Sequence, residues 1–364
     1  MNRYPADLVR AQTRAILEAW SMSPEHAQTT AALMTETDLR GVDSHGISML
    51  PSYEKQIATG QVKPRSEFTV VRASAATALI DAGSGFGHAV SAHAMNMAVD
   101  KCLAIGVGAV SVTNSSHFGA AGVYSAIAAE RGCIGMVTSA TRGVLMVPTF
   151  GAEAVMGTNP LAFAAPAGRN PAFELDMATT TVAMNRVRVH KLRGEPLQEG
   201  WVVDGHGRTV TDPDDAMELV DEESEGGLTP LGIARELGGH KGYGLAVMVH
   251  ILGGVLGGAS FSPVRKRTQK PGDPNDLGHF FLAIDPGAFR EEGAFEEDLD
   301  EVVDVLHGAK PSEPGRPVMV AGDPERATRE ERLRDGIPLP DTLVALLRGI
   351  TERAGTPFLL DGEG

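Results

Sequence analysis

Residues 77–119 read TALIDAGSGFGHAVSAHAMNMAVDKCLAIGVGAVSVTNSSHFG, and this stretch decides the fold class. Residues 77–81 and 107–113 are short apolar runs typical of buried strands, and residues 90–104 between them have the longer pattern of a helix. Glycines separate the three segments. A strand, a helix and a second strand in this order indicate an α/β fold.

The same pattern continues along the chain. Further candidates are strands at residues 134–139, 162–165 and 173–176 and a helix at residues 122–131. Residues 1–72 have helical periodicity instead, and a helix candidate also opens the C-terminal segment 323–364. We predict a mixed-sheet α/β core over residues 73–322, packed against a helical unit formed by residues 1–72 and the C-terminal helices 323–364.

The glycine turn Gly83-Ser84-Gly85-Phe86-Gly87, between a strand and a helix, is similar to the turn of a Rossmann dinucleotide site. Its spacing is Gly-x-Gly-x-Gly, whereas the fingerprint requires Gly-x-Gly-x-x-Gly. The next strand ends at Asn114-Ser115, where an acidic residue would be needed to hold the ribose. We therefore interpret these glycines as a device for close backbone packing.

Two histidines stand where regular elements end. Asp43-Ser44-His45-Gly46 follows a helical run, and Asn114-Ser115-Ser116-His117 follows a strand run, so each imidazole lies beside hydroxyl groups. Histidine exchanges protons near neutral pH, and two such sites favour acid/base chemistry. The alternative is that each ring only satisfies a local backbone group.

Composition narrows the classes of partner. The 364 residues include 47 acidic and 32 Lys or Arg side chains, a net charge of −15, which argues against nucleic acid. Residues 245–261 contain four glycines and His250, so we expect a buried helix and no membrane span. Cys102 and Cys133 have no metal-ligand spacing, and the absence of a leader pattern indicates a cytoplasmic protein.

Several motifs together resemble the malate/L-lactate dehydrogenase family of NAD(P)-dependent oxidoreductases, which is distinct from the Rossmann-type lactate and malate dehydrogenases. Besides the two histidine motifs, they are Gly157-Thr158-Asn159-Pro160, Leu175-Asp176-Met177-Ala178-Thr179, Gly200-Trp201 and Gly239-His240-Lys241-Gly242-Tyr243-Gly244-Leu245. The resemblance runs from about residue 6 to about residue 338. It implies a non-Rossmann fold, NAD or NADP as cofactor, a homodimer, and hydride transfer with a small 2-hydroxy or 2-oxo acid or a related ketone or cyclic imine.

The resemblance also implies roles for individual residues. His117 is the first candidate for proton donor and His45 the second, and Ser44 and Tyr53 would orient the substrate through their hydroxyl groups. The cofactor would be lined by Thr141, Asp176, Met177, Ala178, Gly322, Asp323 and Pro324.

One position departs from the family pattern. Most members have Asp-Ser-His-Gly-x-x-Arg, with an arginine suited to hold a substrate carboxylate, whereas this chain has Met49. Either Arg40 or Arg142 replaces that cation, or the substrate carries no carboxylate at this point. We list all three as substrate-binding candidates.

A site for the cofactor phosphates is predicted at residues 239–244. Free amides at a helix N-terminus face an anion, glycines allow close approach, and Lys241 adds a positive charge. A plain glycine loop with an exposed lysine is the alternative.

Two other functional classes remain open at this point. Asp43, His45 and His117 could be ligands of a metal-dependent hydrolase or lyase, although no His-Glu-x-x-His pattern supports a metal site. A non-catalytic small-molecule binding protein is the third possibility. The physiological substrate, the reaction direction and the choice between NAD and NADP are left open.

Overall fold

A mixed sheet lies at the centre of the computed structural model, which describes residues 2–221, 225–260, 262–270 and 272–361. Over these residues the strands are β1 (Asn2–Tyr4), β2 (Thr69–Ala73), β3 (Thr77–Asp81), β4 (Val107–Ser115), β5 (Ile134–Ala140), β6 (Leu161–Ala165), β7 (Phe173–Met177), β8 (Val202–Asp204), β9 (Thr209–Val210), β10 (Gly226–Leu228), β11 (Leu277–Ile284) and β12 (Ile337–Leu339). The central sheet has the order β2-β3-β4-β11-β5-β6-β7.

Helices flank this sheet. In the described part of the chain they are α1 (Ala6–Ala19), α2 (Pro24–Leu39), α3 (Leu50–Ala58), α4 (Gly87–Ile105), α5 (Gly122–Glu130), α6 (Met184–Arg193), α7 (Pro213–Asp221), α8 (Gly239–His250), α9 (Ser262–Thr268), α10 (Ala294–His307), α11 (Asp323–Asp335) and α12 (Asp341–Ala354). A π-helical segment, Ile251–Val255, continues α8. The predicted mixed α/β class is confirmed.

Strand direction brings several loops to one edge of the sheet. β3 and β4 are parallel and are connected by α4, whereas β11 runs antiparallel between β4 and β5. Leu277 of β11 pairs with Ser115, and the next residue, Gly278, pairs with Ala140. Since β7 also ends at this level, with Met177 opposite the start of β6, the loops after β4, β5 and β7 open on the same side. We call this side the site edge.

The core consists of apolar side chains packed between the sheet and its helices. Val110, Val112 and Phe281 are fully buried with residues of α4 and α5 on one face. On the other face the π-helical segment lies so close that a Cβ on Gly253 would meet the backbone of Ser139 and Ala140. Close approach on both faces fixes the sheet, and with it the loops of the site edge.

The terminal helices form a second cluster. Side chains of α1, α2, α3 and α12 share one buried apolar core, and β1 pairs with β12. This agrees with the predicted helical unit of both chain ends. The boundary at residues 72 and 73 stays a prediction; β2 pairs with β3 in the central sheet. Met1, residues 222–224 and residues 362–364 of the predicted units lie outside the described residues.

The glycine turn after β3 packs against the chain itself. A Cβ on Gly83 would meet Ser66 and the carbonyl oxygen of Glu67, and one on Gly87 would meet the carbonyl oxygen of Ser116. This geometry agrees with the interpretation of the turn as backbone packing.

The segment 245–261 differs in part from the expectation of a buried helix. Ala246 and Val249 are buried, but four apolar side chains of α8 and the segment after it are 39–59% exposed: Met248, Ile251, Val255 and Leu256. Phe261 lies outside the described residues. In the described residues, we find no helix with the length and apolar character that crossing a bilayer requires.

Candidate active site

The two predicted histidines come together at the site edge. His117 follows β4 and His45 follows α2, and their ring centroids are 5.3 Å apart. Their motifs are 72 positions apart in sequence, yet the fold joins them in one pair. Because the pair lies beyond the carboxyl ends of parallel strands β3 and β4, it occupies the usual place of a ligand crevice in an α/β sheet.

Hydrogen bonds fix the orientation of each ring. Nδ1 of His117 lies 2.7 Å from the hydroxyl oxygen of Tyr53 and receives the backbone N–H of Gly119 at 3.3 Å. The Gly119 amide can only donate, whereas the Tyr53 hydroxyl can donate or accept, so Tyr53 can pair with either neutral tautomer of His117. Nε2 accepts a proton in the tautomer in which Nδ1–H donates to Tyr53. The hydroxyl group of Ser44 lies 2.7 Å from Nδ1 of His45.

Burial keeps both imidazoles neutral. It lowers the pKa of His117 well below the ordinary value, and the nearby His45, His88 and His279 lower it further. Burial also lowers the pKa of His45. Since a positive charge on one ring disfavours a charge on the other, the pair carries at most one extra proton near neutral pH.

Several residues that support the site were not identified from the sequence. Asp38 accepts a hydrogen bond from the backbone of Ile47, and Arg332 of α11 forms an ion pair with Asp43. His279 stacks on Phe118 at 4.4 Å, next to His117. Of these residues, only Asp38 had a signal in the sequence. An ionised side chain in the last turn of a helix opposes the helix dipole, so an aspartate there is unusual.

The three substrate-binding candidates at the missing arginine have different surroundings. Met49 is partly buried and packs against the apolar core of the terminal helices. Arg40 forms ion pairs at 2.8 Å with both Glu36 and Glu174. Arg142, after β5, donates a hydrogen bond to the neutral amide oxygen of Gln61. Arg142 is therefore the cation with more charge left for an anionic substrate.

The candidate cofactor residues Thr141, Asp176, Met177 and Ala178 also lie at the site edge. The backbone N–H and hydroxyl of Thr141 donate to the side chain of Asn159, which in turn donates to the carbonyl oxygen of Ala246 in α8. The carboxylate of Asp176 accepts the N–H of Gly122, at the start of α5. These bonds connect β5, β7, α5 and α8 around one side of the site.

The start of α8 is only partly available to an anion. The N–H of Gly239 donates to the carbonyl oxygen of Ala234, and a Cβ on Gly239 or Gly242 would overlap with the preceding loop. These two glycines are therefore required for internal packing and not for approach of a phosphate. Lys241 is exposed and forms no ion pair with the residues that the structure describes, and nothing lies within 4 Å of a Cβ on Gly244.

The third predicted cofactor segment opens α11. Gly322 is the N-cap and Asp323 the first helical residue. Its carboxylate accepts hydrogen bonds from the backbone of Val320 and from Arg326, and it pairs with His307. Pro324 follows in the first turn, where a proline needs no hydrogen-bond partner.

The structure gives no support to the metal-dependent alternative. The carboxylate of Asp43 is bound by Arg332, whereas His45 and His117 bond to Ser44 and Tyr53. In the described ranges no three His, Cys, Asp or Glu side chains converge in a way that could hold a metal ion.

Comparison with known proteins identifies the family. The model of the malate/L-lactate dehydrogenase family matches residues 4–348. Malate dehydrogenase of Pyrococcus horikoshii is 35% identical over 359 residues, covering 98% of this chain and 97% of that protein. L-sulfolactate dehydrogenase of Methanocaldococcus jannaschii is 33% identical over 340 residues, covering 93% and 94%. The crystal structure of malate dehydrogenase from Entamoeba histolytica superimposes with a TM-score of 0.93 at 29% identity, covering 98% and 99%.

The chain belongs to the malate/L-lactate dehydrogenase family. It is an NAD(P)-dependent oxidoreductase that transfers a hydride between the nicotinamide cofactor and a small 2-hydroxy or 2-oxo acid, or a related ketone or cyclic imine.

Proposed function

We propose that His117 and His45 form the acid/base pair of this dehydrogenase and exchange a proton with the substrate oxygen. The supporting observation is the 5.3 Å separation of the two rings, with Tyr53 held 2.7 Å from Nδ1 of His117. This bond turns Nε2 of His117 away from Tyr53, leaving it for the substrate. In the reducing direction the pair, carrying one extra proton, donates it to the oxygen, and in the oxidising direction the neutral pair accepts a proton from the substrate hydroxyl.

We propose that Ser44 and Tyr53 orient the substrate through their hydroxyl groups and also hold the two imidazole rings in place beside it. Each hydroxyl group lies within hydrogen-bond distance of one catalytic ring. Tyr53 is 1% exposed, and burial raises its pKa, so it stays protonated and acts as a neutral hydrogen-bonding group. The substrate acid group would then face Arg142, since Arg40 is engaged by two carboxylates.

The cofactor fits beside the same edge. Thr141, Asp176, Met177 and Ala178 offer polar and apolar contacts there, and Lys241 together with the open space at Gly244 suits a phosphate group. Gly322, Asp323 and Pro324 are weaker candidates, because the carboxylate of Asp323 already has three internal partners. When bound, NAD or NADP supplies or accepts the hydride.

A direct assay tests this function. Wild-type protein is mixed with NADH or NADPH and a panel of oxaloacetate, pyruvate, sulfopyruvate and a cyclic imine acid, and the nicotinamide absorbance is followed. We expect consumption of at least one reduced cofactor with a 2-oxo acid. Binding of cofactor without turnover of any substrate would favour the non-catalytic alternative.

We also propose a cytoplasmic homodimer. The apolar side chains of Met248, Ile251, Val255 and Leu256 form an exposed face that a second copy of the chain would cover. Cys102 and Cys133 are buried free thiols, which suits a reducing compartment. Sedimentation should give a dimer for wild type, a monomer for Ile251→Glu, and a dimer for the control Val71→Glu, which changes an exposed valine of β2. A monomeric wild type would contradict the proposal.

A further inference from the structure

The side chain of Asp38 lies beneath the loop that carries His45. Asp38 belongs to the last turn of α2 and is 2% exposed. Its Oδ2 accepts the backbone N–H of Ile47 at 2.9 Å, two residues after His45. This contact joins the last turn of α2 directly to the backbone of the loop that carries His45.

Gly46 is shaped to fit this carboxyl group. A Cβ on Gly46 would overlap with both oxygens of Asp38. The φ angle of Gly46 is −94°, outside the left-handed region, so a positive φ is not what requires glycine. The glycine of the Asp-Ser-His-Gly motif thus makes room for Asp38.

Arg332 of α11 holds the opposite end of the loop. One guanidinium nitrogen donates to the backbone oxygen of Asp38 and to the carboxylate of Asp43, and the other donates to Asp43 at 3.1 Å. The loop is therefore fixed at Asp43 and at Ile47, with His45 between the two anchors.

We propose that Asp38 is a positioning residue that sets the place of the His45 ring beside His117 by binding Ile47 and filling the space at Gly46. This inference rests on the proposed function of the histidine pair. It assigns the work to the shape and acceptor oxygen of the side chain, and not to its negative charge.

The charge state agrees with this assignment. Burial raises the pKa of Asp38 to about 8. Three smaller effects act on the same group: the Ile47 amide and Arg332 lower its pKa, and Asp43 raises it. The side chain is thus largely uncharged at neutral pH, and asparagine is its closest mimic.

Two substitutions separate the effect of the acceptor oxygen of Asp38 from the effect of its side-chain volume. Asp38→Asn keeps an acceptor oxygen in the same shape, and we expect its kcat to stay within about threefold of wild type. Asp38→Leu keeps the branching but has no acceptor, and we expect kcat per folded molecule to fall by on the order of 10²-fold, since small misplacement of a catalytic group has such effects. Cofactor Kd should be unchanged in both.

Asp300→Leu is the matched control for loss of a buried carboxylate. Asp300 is also 2% exposed and accepts the backbone amides of Arg169 and Asn170, in contacts that involve none of the site residues. We expect it to lower stability without changing kcat per folded molecule. A folded Asp38→Leu variant with wild-type kcat would overturn the positioning role, as would an equal loss of kcat in Asp300→Leu.

The glycine provides a second test if Asp38→Leu does not fold. Gly46→Ala should lower kcat because its methyl group displaces Asp38 or the loop. Removing the carboxyl group makes room for that methyl group, so Gly46→Ala should cost less in the Asp38→Ala background than in wild type. Independent effects of the two substitutions would refute the coupling.

Failure of the proposed function gives a different result. Wild-type protein that turns over no 2-oxo acid with either cofactor would refute the function itself. Wild-type turnover together with unchanged kcat in Asp38→Leu would refute only the positioning role.

Discussion

At the scale of single residues, the site depends on imidazoles that burial keeps neutral. His117 lies between the Tyr53 hydroxyl and the Gly119 amide, and its pKa is well below the ordinary value because of burial and of three neighbouring histidines. A neutral ring is the form that accepts a proton from a 2-hydroxy acid. The lowered pKa therefore matters most for the oxidising direction.

This leads to a prediction on pH. A lowered pKa means that the neutral base persists as the pH falls, so kcat/KM for oxidation of the 2-hydroxy acid should decline only at pH values below about 6.5, the ordinary histidine pKa. The pH profile of kcat/KM, measured with saturating cofactor, checks this. An acidic limb centred at or above 6.5 would contradict it.

Met49 provides a prediction on specificity. Without the arginine of its relatives, position 49 offers a carboxylate no charge-assisted contact, which would be worth about 1.5–3 kcal/mol there. Met49→Arg should raise kcat/KM for simple 2-oxo acids relative to the native substrate, and should partly restore their use in Arg142→Gln. Wild-type protein that already uses malate or lactate efficiently would mean that Arg142 has taken over the contact. Arg72→Gln, an exposed arginine of β2, controls for loss of one charge.

At the scale of elements, local sequence patterns predicted most strands and helices around the site, whereas they did not predict which strands pair in the central sheet. The glycine-bounded apolar runs predicted β3, α4, α5 and their neighbours nearly to the residue. β11 was missed, although it lies between β4 and β5 in the sheet. Its segment follows β5 by more than 130 residues, and it was overlooked although Gly272-Asp273-Pro274 and Asp285-Pro286-Gly287 mark its two ends. Strand order depends on contacts that sequence periodicity does not contain.

The site itself was predictable only where a motif carried it. The residues His45, His117, Ser44 and Tyr53 meet because motifs distant in sequence are brought to one edge. Asp38 and Arg332 belong to no motif, and their role appears only through contacts across α2 and α11. Likewise, no local pattern marks the bridge between Thr180 and Pro230, which precedes the start of α6 at Met184.

Helix α8 carries the prediction on cofactor binding. Lys241 is exposed in its first turn, and removal of its charge should weaken cofactor binding more than the chemical step. Lys241→Ala should raise the cofactor Kd, and the difference from wild type should shrink in high salt because exposed charges are screened. Fluorescence titration at two salt concentrations measures both. An unchanged Kd would remove Lys241 from the site.

At the scale of the whole molecule, the buried Asp38 couples stability to pH. Its pKa is about 8 in the folded protein and near 3.9 in an unfolded chain. The stability that its protonated form contributes is complete below pH 4 and is lost as the pH rises toward 8, by up to about 1.4 kcal/mol per pH unit. Asp38→Asn does not ionise and keeps this stability.

Urea unfolding of both proteins between pH 4 and 8 tests that coupling. The free energy of unfolding of Asp38→Asn minus that of wild type should increase with pH over this range. A difference that is constant with pH would show that Asp38 titrates in the folded protein as it does in the unfolded chain.

The central claim is that the histidine pair at the site edge carries the acid/base chemistry, and single-turnover kinetics of His117→Ala tests it most directly. Loss of a general acid or base typically lowers a rate by about 10²–10⁴-fold. We predict such a loss in the hydride-transfer rate of His117→Ala, with cofactor Kd close to that of wild type and a smaller or comparable loss in His45→Ala. Wild-type hydride transfer in both His117→Ala and His45→Ala would contradict the account.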